Sequence, residues 1–178
     1  GVVEFPVLAN GGQPSSLGAS LEFAQNWIWK GGTWKYTGGT ASTDRSAIIT
    51  DQTAFEIANQ ATTVTFNGSL EGNGDFVLDG KGTFKITKPF NFTGNTILKG
   101  GTLFIEGSTL LDQQLGSSPK LVLAGGSYKT KDINDRYGNY NFPIEVVDNT
   151  YSTFSVHRNC SINSNVSGSG TLEYQVAY

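Results

Sequence analysis

This chain of 178 residues contains no methionine, one cysteine and one histidine. The lone Cys160 excludes an internal disulfide, so packing alone must hold the fold. The lone His157 gives any Ser-His-Asp or Cys-His centre a single imidazole to use, and it stands beside Arg158 in a short polar stretch, where a surface histidine is expected. Charge is scarce as well: Lys, Arg, Asp and Glu make up 15% of the residues, with a net charge of −3. No run of Lys or Arg forms, which argues against a nucleic-acid partner. No apolar stretch approaches the ~18 residues of a membrane-spanning helix. The opening Gly1-Val2-Val3-Glu4-Phe5-Pro6 lacks the charged and apolar regions of a signal peptide, so any export signal is expected outside this sequence. Sustained helical periodicity is missing too. Leu21 to Trp27 is the only helix-like stretch, and without a cap it is expected to be a loop or a single turn.

What the chain does have is glycine, 23 residues of it, set among Ser, Thr and Asn between short apolar pairs. That mixture suits tight turns and short strands. One phrase recurs: Gly31-Gly32-Thr33-Trp34-Lys35-Tyr36, Lys81-Gly82-Thr83-Phe84-Lys85-Ile86, Gly100-Gly101-Thr102-Leu103-Phe104-Ile105, Gly125-Gly126-Ser127-Tyr128-Lys129-Thr130 and Ser169-Gly170-Thr171-Leu172-Glu173-Tyr174. Each copy reads as a glycine turn followed by a strand, and a repeated turn-plus-strand unit signals a solenoid whose coils bury one another. The marker residues Thr33, Thr83, Thr102, Ser127 and Thr171 are unevenly spaced, but further candidate strands fill the wide gaps: Phe55 to Ile57, Thr63 to Phe66, Phe76 to Leu78, Ile144 to Val146 and Phe154 to Val156. Alternation is short and strict at Phe84 and Ile86, Leu103 and Ile105, Leu121 and Leu123, Leu172 and Tyr174, which puts one face in and one out. At roughly 22 residues per coil the chain holds about eight coils of an all-β solenoid.

No catalytic constellation stands out, and no enzymatic activity is expected. Glu71, Asp75 and Asp79 sit beside glycines, where turns are expected, and Cys160 alternates with Ile162 as a small inward hydrophobe. The sequons at Asn67, Asn91, Asn159 and Asn165 are expected by chance in a chain so rich in Asn, Ser and Thr. Between Thr130 and Tyr151 the glycine rhythm lapses and Lys131, Asp132, Asn134, Asp135, Arg136, Tyr137, Asn139, Tyr140 and Tyr151 take its place. Flat aromatic faces beside bidentate polar groups are what sugar recognition requires. Asp132, Asp135, Arg136, Tyr137, Asn139 and Tyr140 are therefore candidate carbohydrate-binding residues. Asp132-Ile133-Asn134-Asp135 also offers oxygens to calcium, but lacks the glycine and terminal glutamate of an EF-hand loop, so no cofactor is expected. Trp27 and Trp34 are candidates of a second kind, either a glycan platform or, since they align with Leu121 and Tyr128, core and end-plug residues.

The stretches Asn10 to Ser20, Gly31 to Arg45, Ser69 to Ile86 and Phe92 to Leu103 together resemble an autotransporter-associated β-strand repeat, a likeness running roughly from Asn10 to Thr130. The tail, Arg136 to Pro143 and Cys160 to Tyr174, is similar to segments of large exported Bacteroidetes proteins that carry such repeats. The resemblance implies a right-handed parallel β-helix in a secreted or cell-surface bacterial protein. It implies no activity, since such repeats form adhesin shafts and also accompany polysaccharide-degrading enzymes. Two functions follow as expectations: a non-catalytic carbohydrate-binding module of an exported polysaccharide-degrading enzyme, with a polysaccharide or cell-surface glycan as partner, or a structural shaft or adhesin segment with no small ligand. Both ends break off within the pattern, so residues 1–178 are expected to be one module linked to further domains. Within it, aromatic-rich coils span 1–50, regular repeats 51–130, and an insertion with C-terminal coils 131–178.

Overall fold

The glycine turns and period-two strands wind into a parallel β-solenoid in the computed structural model, which describes residues 1–107, 115, 119–132, 138–157 and 160–177. One wall is an eight-stranded parallel sheet: Val2–Phe5, Gly32–Tyr36, Thr53–Ile57, Phe76–Gly80, Thr96–Leu98, Leu121–Leu123, Ile144–Val146 and Val166–Gly168. A second wall has seven strands: Ala41–Thr43, Thr63–Phe66, Thr83–Ile86, Thr102–Gly107, Ser127–Asp132, Tyr151–His157 and Thr171–Ala177. A third wall carries four short strands in the N-terminal half, Ile28–Trp29, Ala47–Ile49, Leu70–Gly72 and Asn91–Phe92. Near the other end, Gly138–Tyr140 pairs with Cys160–Ile162. The chain makes about six full turns, against the eight coils expected. The first and last passes account for the difference, because each puts a strand into the eight-stranded wall without completing a circuit of the walls. The stretch expected to be a loop or single turn contains one 3-10 turn, Ala24–Asn26.

Register gives the coil length. Thr33 lies opposite Ala54, Ala54 opposite Val77, Val77 opposite Ile97, Ile97 opposite Val122, Val122 opposite Glu145 and Glu145 opposite Ser167, so a coil takes about 20–25 residues. The first coil is longer, since Val2 pairs with Thr33. Its extra residues form a loop tied to the edge of the second wall: Thr43 Oγ1 donates to the Ala9 carbonyl at 2.9 Å, and Asp44 Oδ1 accepts from the Gly11 N–H at 2.7 Å. Arg45, buried to 2% exposure, donates to the Gly18 carbonyl at 2.8 Å and to Ser20 Oγ at 3.1 Å. These two bonds to neutral oxygens fix the loop against the coil, while the buried Arg45 Nε has no hydrogen-bond partner among the described residues.

The alternating residues fill the interior. In the second wall Val64, Phe84, Leu103, Tyr128 and Phe154 stack directly above one another, all fully buried. Their outward neighbours Thr63, Thr83, Thr102, Ser127 and Thr153 form a polar ladder on the same strands. Close stacking of backbones requires glycine at certain corners. Gly72 sits at φ +110°, and a Cβ there would lie 2.1 Å from the Ile49 carbonyl oxygen of the coil before.

The five copies of the repeated phrase are not equivalent in space. Thr83, Thr102 and Ser127 occupy one row of the second wall. Thr33 instead belongs to the eight-stranded wall, and Thr171 stands opposite Tyr151, two residues short of that row. A Gly-Gly-Thr turn can open a strand in any wall, because what it encodes is the corner and not the wall that follows.

Candidate functional site

The structure divides the sequence candidates. Tyr140 is fully buried. Its hydroxyl shares a 2.7 Å hydrogen bond with Thr130 Oγ1, and its ring meets Tyr128, Phe142 and Phe154 edge-on at 6.1, 5.8 and 5.3 Å. It is a core residue of the C-terminal coils, with no face left for a sugar. Trp27 is likewise only 5% exposed and packs edge-on against Trp29 at 5.1 Å and Trp34 at 5.7 Å. For Tyr140 the binding expectation is corrected, and for Trp27 the core alternative holds in place of the glycan platform, because neighbouring rings cover both side chains. Trp34 is half-buried, set between Phe5 at 6.4 Å and Trp29 at 6.2 Å, and packs against the same core. Asn139 is exposed beside the pair Gly138–Tyr140 and Cys160–Ile162. Asp135, Arg136 and Tyr137 lie outside the described residues, as does the side chain of Asp132, whose backbone ends the strand Ser127–Asp132. The calcium-type oxygens expected at Asp132 to Asp135 fall there too. Among the described residues no group of three or more His, Cys, Asp or Glu is placed to hold a metal.

Two more phenols are buried: Tyr36, whose hydroxyl donates to the Gly39 carbonyl at 2.8 Å, and Tyr128. The Tyr128 hydroxyl has no hydrogen-bond partner, and burial, with a smaller contribution from Tyr140, pushes its pKa well above the usual phenol value. The ring stacks on Phe154 at 4.9 Å, so its role is packing. Cys160 is half-buried against the core, and burial raises its thiol, which makes it a poor nucleophile.

One arrangement on the outer surface does bring polar chemistry and an exposed aromatic together. The turn Asp148 to Thr150 precedes the strand Tyr151–His157, and the next coil passes the same corner at Ser169 to Thr171. Between them lies a recess of about 380 Å³, lined by Asn149, Thr150, Tyr151, Ser169, Gly170 and Thr171. Tyr151 is 58% exposed and points away from the core, since Ser152, Phe154 and Val156 alternate inward on its strand. Its hydroxyl donates to Glu173 Oε2 on the neighbouring strand, and Glu173 Oε1 accepts from Gln175 Nε2 at 3.0 Å. These two bonds, Gln175 first, hold the Glu173 carboxyl below its usual range, while the bond to Glu173 raises the Tyr151 phenol. On the opposite side Asp148 Oδ1 accepts from Ser169 Oγ and from the Ser169 N–H at 3.3 Å. Asn149 takes a left-handed conformation, φ 58°, which side chains other than glycine adopt at a cost.

Sequence reasoning placed Tyr151 at the margin of its candidate segment and missed Glu173, which stands 22 residues later. The coil length was the available signal, since residues about one coil apart stack. With this arrangement described, the comparisons can be placed beside it. Over 104 residues the chain is 38% identical to the Adhesin BmaC autotransporter of Brucella suis biovar 1. That relative is an autotransporter adhesin. The likeness to autotransporter β-strand repeats therefore stands on a named protein as well as on the solenoid. The match takes in 58% of this chain but 3% of the relative, so the chain spans a small fraction of the protein it resembles. No protein-family model matches the chain, and no solved structure matches it. The comparison sets the chain among secreted or cell-surface bacterial proteins.

Proposed function

We propose that this chain is a structural length of a surface-displayed adhesin, a stiff segment of stacked coils in a longer protein. The observation that carries the reading is the 38% identity to an autotransporter adhesin over 104 residues, in a chain whose described residues form a parallel solenoid. The architecture suits the task. Eight strands stacked at about 4.8 Å give a rod of roughly 35 Å whose hydrogen bonds run along its axis. Its outer faces carry Thr, Ser and paired charges, such as Lys35 between Glu4 at 3.4 Å and Glu56 at 3.9 Å, which keep the surface wet while the core is filled. Of the two expectations raised by the sequence, the shaft or adhesin segment is the better supported, and a carbohydrate-binding module of a degrading enzyme draws no support from the relative.

Antibody labelling of intact bacteria, with the same cells after lysis as control, tests the reading. Labelling and protease shaving of intact cells are the expected results. An epitope reached only after lysis would overturn it.

A further inference from the structure

The recess at the corner of the last two turns has features that shaft duty does not require. A shaft needs its outward residues small or charged, and most follow that rule. The outward phenylalanine of the second wall, Phe104, is closed off by cations, with Lys85 Nζ 5.5 Å and Lys129 Nζ 5.4 Å from its ring. Tyr151 receives the opposite treatment. Its ring stays 58% exposed, it borders a polar recess, and its hydroxyl is tied to Glu173, which fixes the ring before anything binds. Asn149, held at φ 58°, and Thr150 and Thr171 add hydroxyl and amide groups at the floor and rim.

We propose that this recess is a binding site for a neutral saccharide. A pyranose carries an apolar C–H face and a rim of hydroxyls. The exposed face of Tyr151 matches the first, and the Asn149 amide, the Thr171 hydroxyl and the free lone pairs of Glu173 match the second. Charge selects among sugars. The carboxylates of Asp148 and Glu173 flank the recess, and none of its six lining residues is a lysine or arginine. Sulfated and uronic-acid chains are therefore repelled, while neutral ones are not. The strand that Tyr151 opens lies between Ser127–Asp132 and Thr171–Ala177, and Tyr151 itself pairs with Thr171, while the preceding strand joins the ladder from Thr153 onward. The site rests on the surface-segment reading, because it supplies that segment with a ligand.

The test is binding of the purified chain to an array of defined oligosaccharides, neutral and sulfated, alongside three variants. Binding to neutral members is expected, weakened by about tenfold or more in Tyr151→Ala. Tyr151→Phe, which keeps the ring but frees it from Glu173, is expected to lose less, and Lys85→Ala, on the same wall but away from the recess, nothing. Far-UV circular dichroism confirms that each variant is folded, and as an exposed outward residue Tyr151 is replaceable without loss of core. Binding to no oligosaccharide, binding to sulfated members alone, or binding unchanged in Tyr151→Ala would each overturn the proposal. Display of the chain on cells separates the two readings. Adhesion that persists in Tyr151→Ala overturns the saccharide site and leaves the adhesin segment standing. Failure to reach the surface sinks the adhesin segment, while the array still decides the site.

Discussion

The first four coils and the coils after them solve one packing problem with different side chains. In the N-terminal half the interior holds Trp29 stacked on Phe55 at 5.6 Å and on Phe76 at 6.3 Å, with Phe66 on Phe84 at 5.6 Å and Phe90 beside Phe92 at 4.9 Å. Leu98, Leu103, Ile105, Leu121 and Leu123 fill the turns that follow, before rings return at Tyr128, Tyr140, Phe142 and Phe154. The third-wall strands coincide with the aromatic half, from Ile28–Trp29 to Asn91–Phe92. Core volume is thus set coil by coil and shared with the next coil only, so fillers can change along the axis without a change in backbone plan.

Substitutions can break or sharpen that contrast. The largest effect is expected for Trp29→Ala, which removes the side chain that touches Trp27, Phe55, Phe66 and Phe76. A loss of about 3–5 kcal/mol is anticipated in urea or thermal unfolding. Leu123→Ala in the aliphatic part is expected to cost less, in the lower part of about 2–5 kcal/mol. Equal losses would mean that the two halves do not differ in how much each filler supports. Next comes Gly72→Ala, where the new Cβ meets the Ile49 carbonyl at 2.1 Å on a backbone at φ +110°. A penalty of about 1–3 kcal/mol is expected, with hydrogen exchange rising first in the third wall.

Titration separates the halves again. Tyr128 in the C-terminal coils has its phenol pushed well above the ordinary phenol value by burial, so folding favours its neutral form. Its contribution is fully present below pH 10 and is lost as pH rises from there toward the raised folded value. The coils around Trp29 hold one buried phenol, Tyr36, which burial raises less than Tyr128, so exchange of C-terminal amides is expected to rise before that of those coils. Simultaneous loss of both halves would show that they unfold as one unit. The smallest effect is assigned to Lys85→Ala. It removes the ion pair to Glu106 and the contact to Phe104, both on the outer face, and is expected to change stability by less than about 1 kcal/mol.

The strands were legible because their alternation is local. Phe84 with Ile86, Leu103 with Ile105 and Leu121 with Leu123 are read from three residues each, and all six are buried. Leu172 and Tyr174 alternate in the same way, but Tyr174 is 46% exposed because no coil stacks beyond it among the described residues. Which wall a strand joins was not legible, as Thr33 shows, since that depends on how many corners precede it. The burial of Trp27 depends on the neighbouring rings that cover it, and the pairing of Tyr151 with Glu173 on the register of one coil against the next. Both are properties of stacking, and uneven coil lengths hide them from a reading by fixed period.

The register has a further consequence for how the chain assembles. Among the described residues every ladder joins residues one coil apart, the widest being Val2 with Thr33, and none reaches across the molecule. The entropy of closing each loop is then nearly the same at every step, and no late, distant closure is required. Once one coil is in place its exposed edge is a template for the next. The chain can therefore grow like a one-dimensional crystal, its cost concentrated in the nucleus and its completion a matter of repetition.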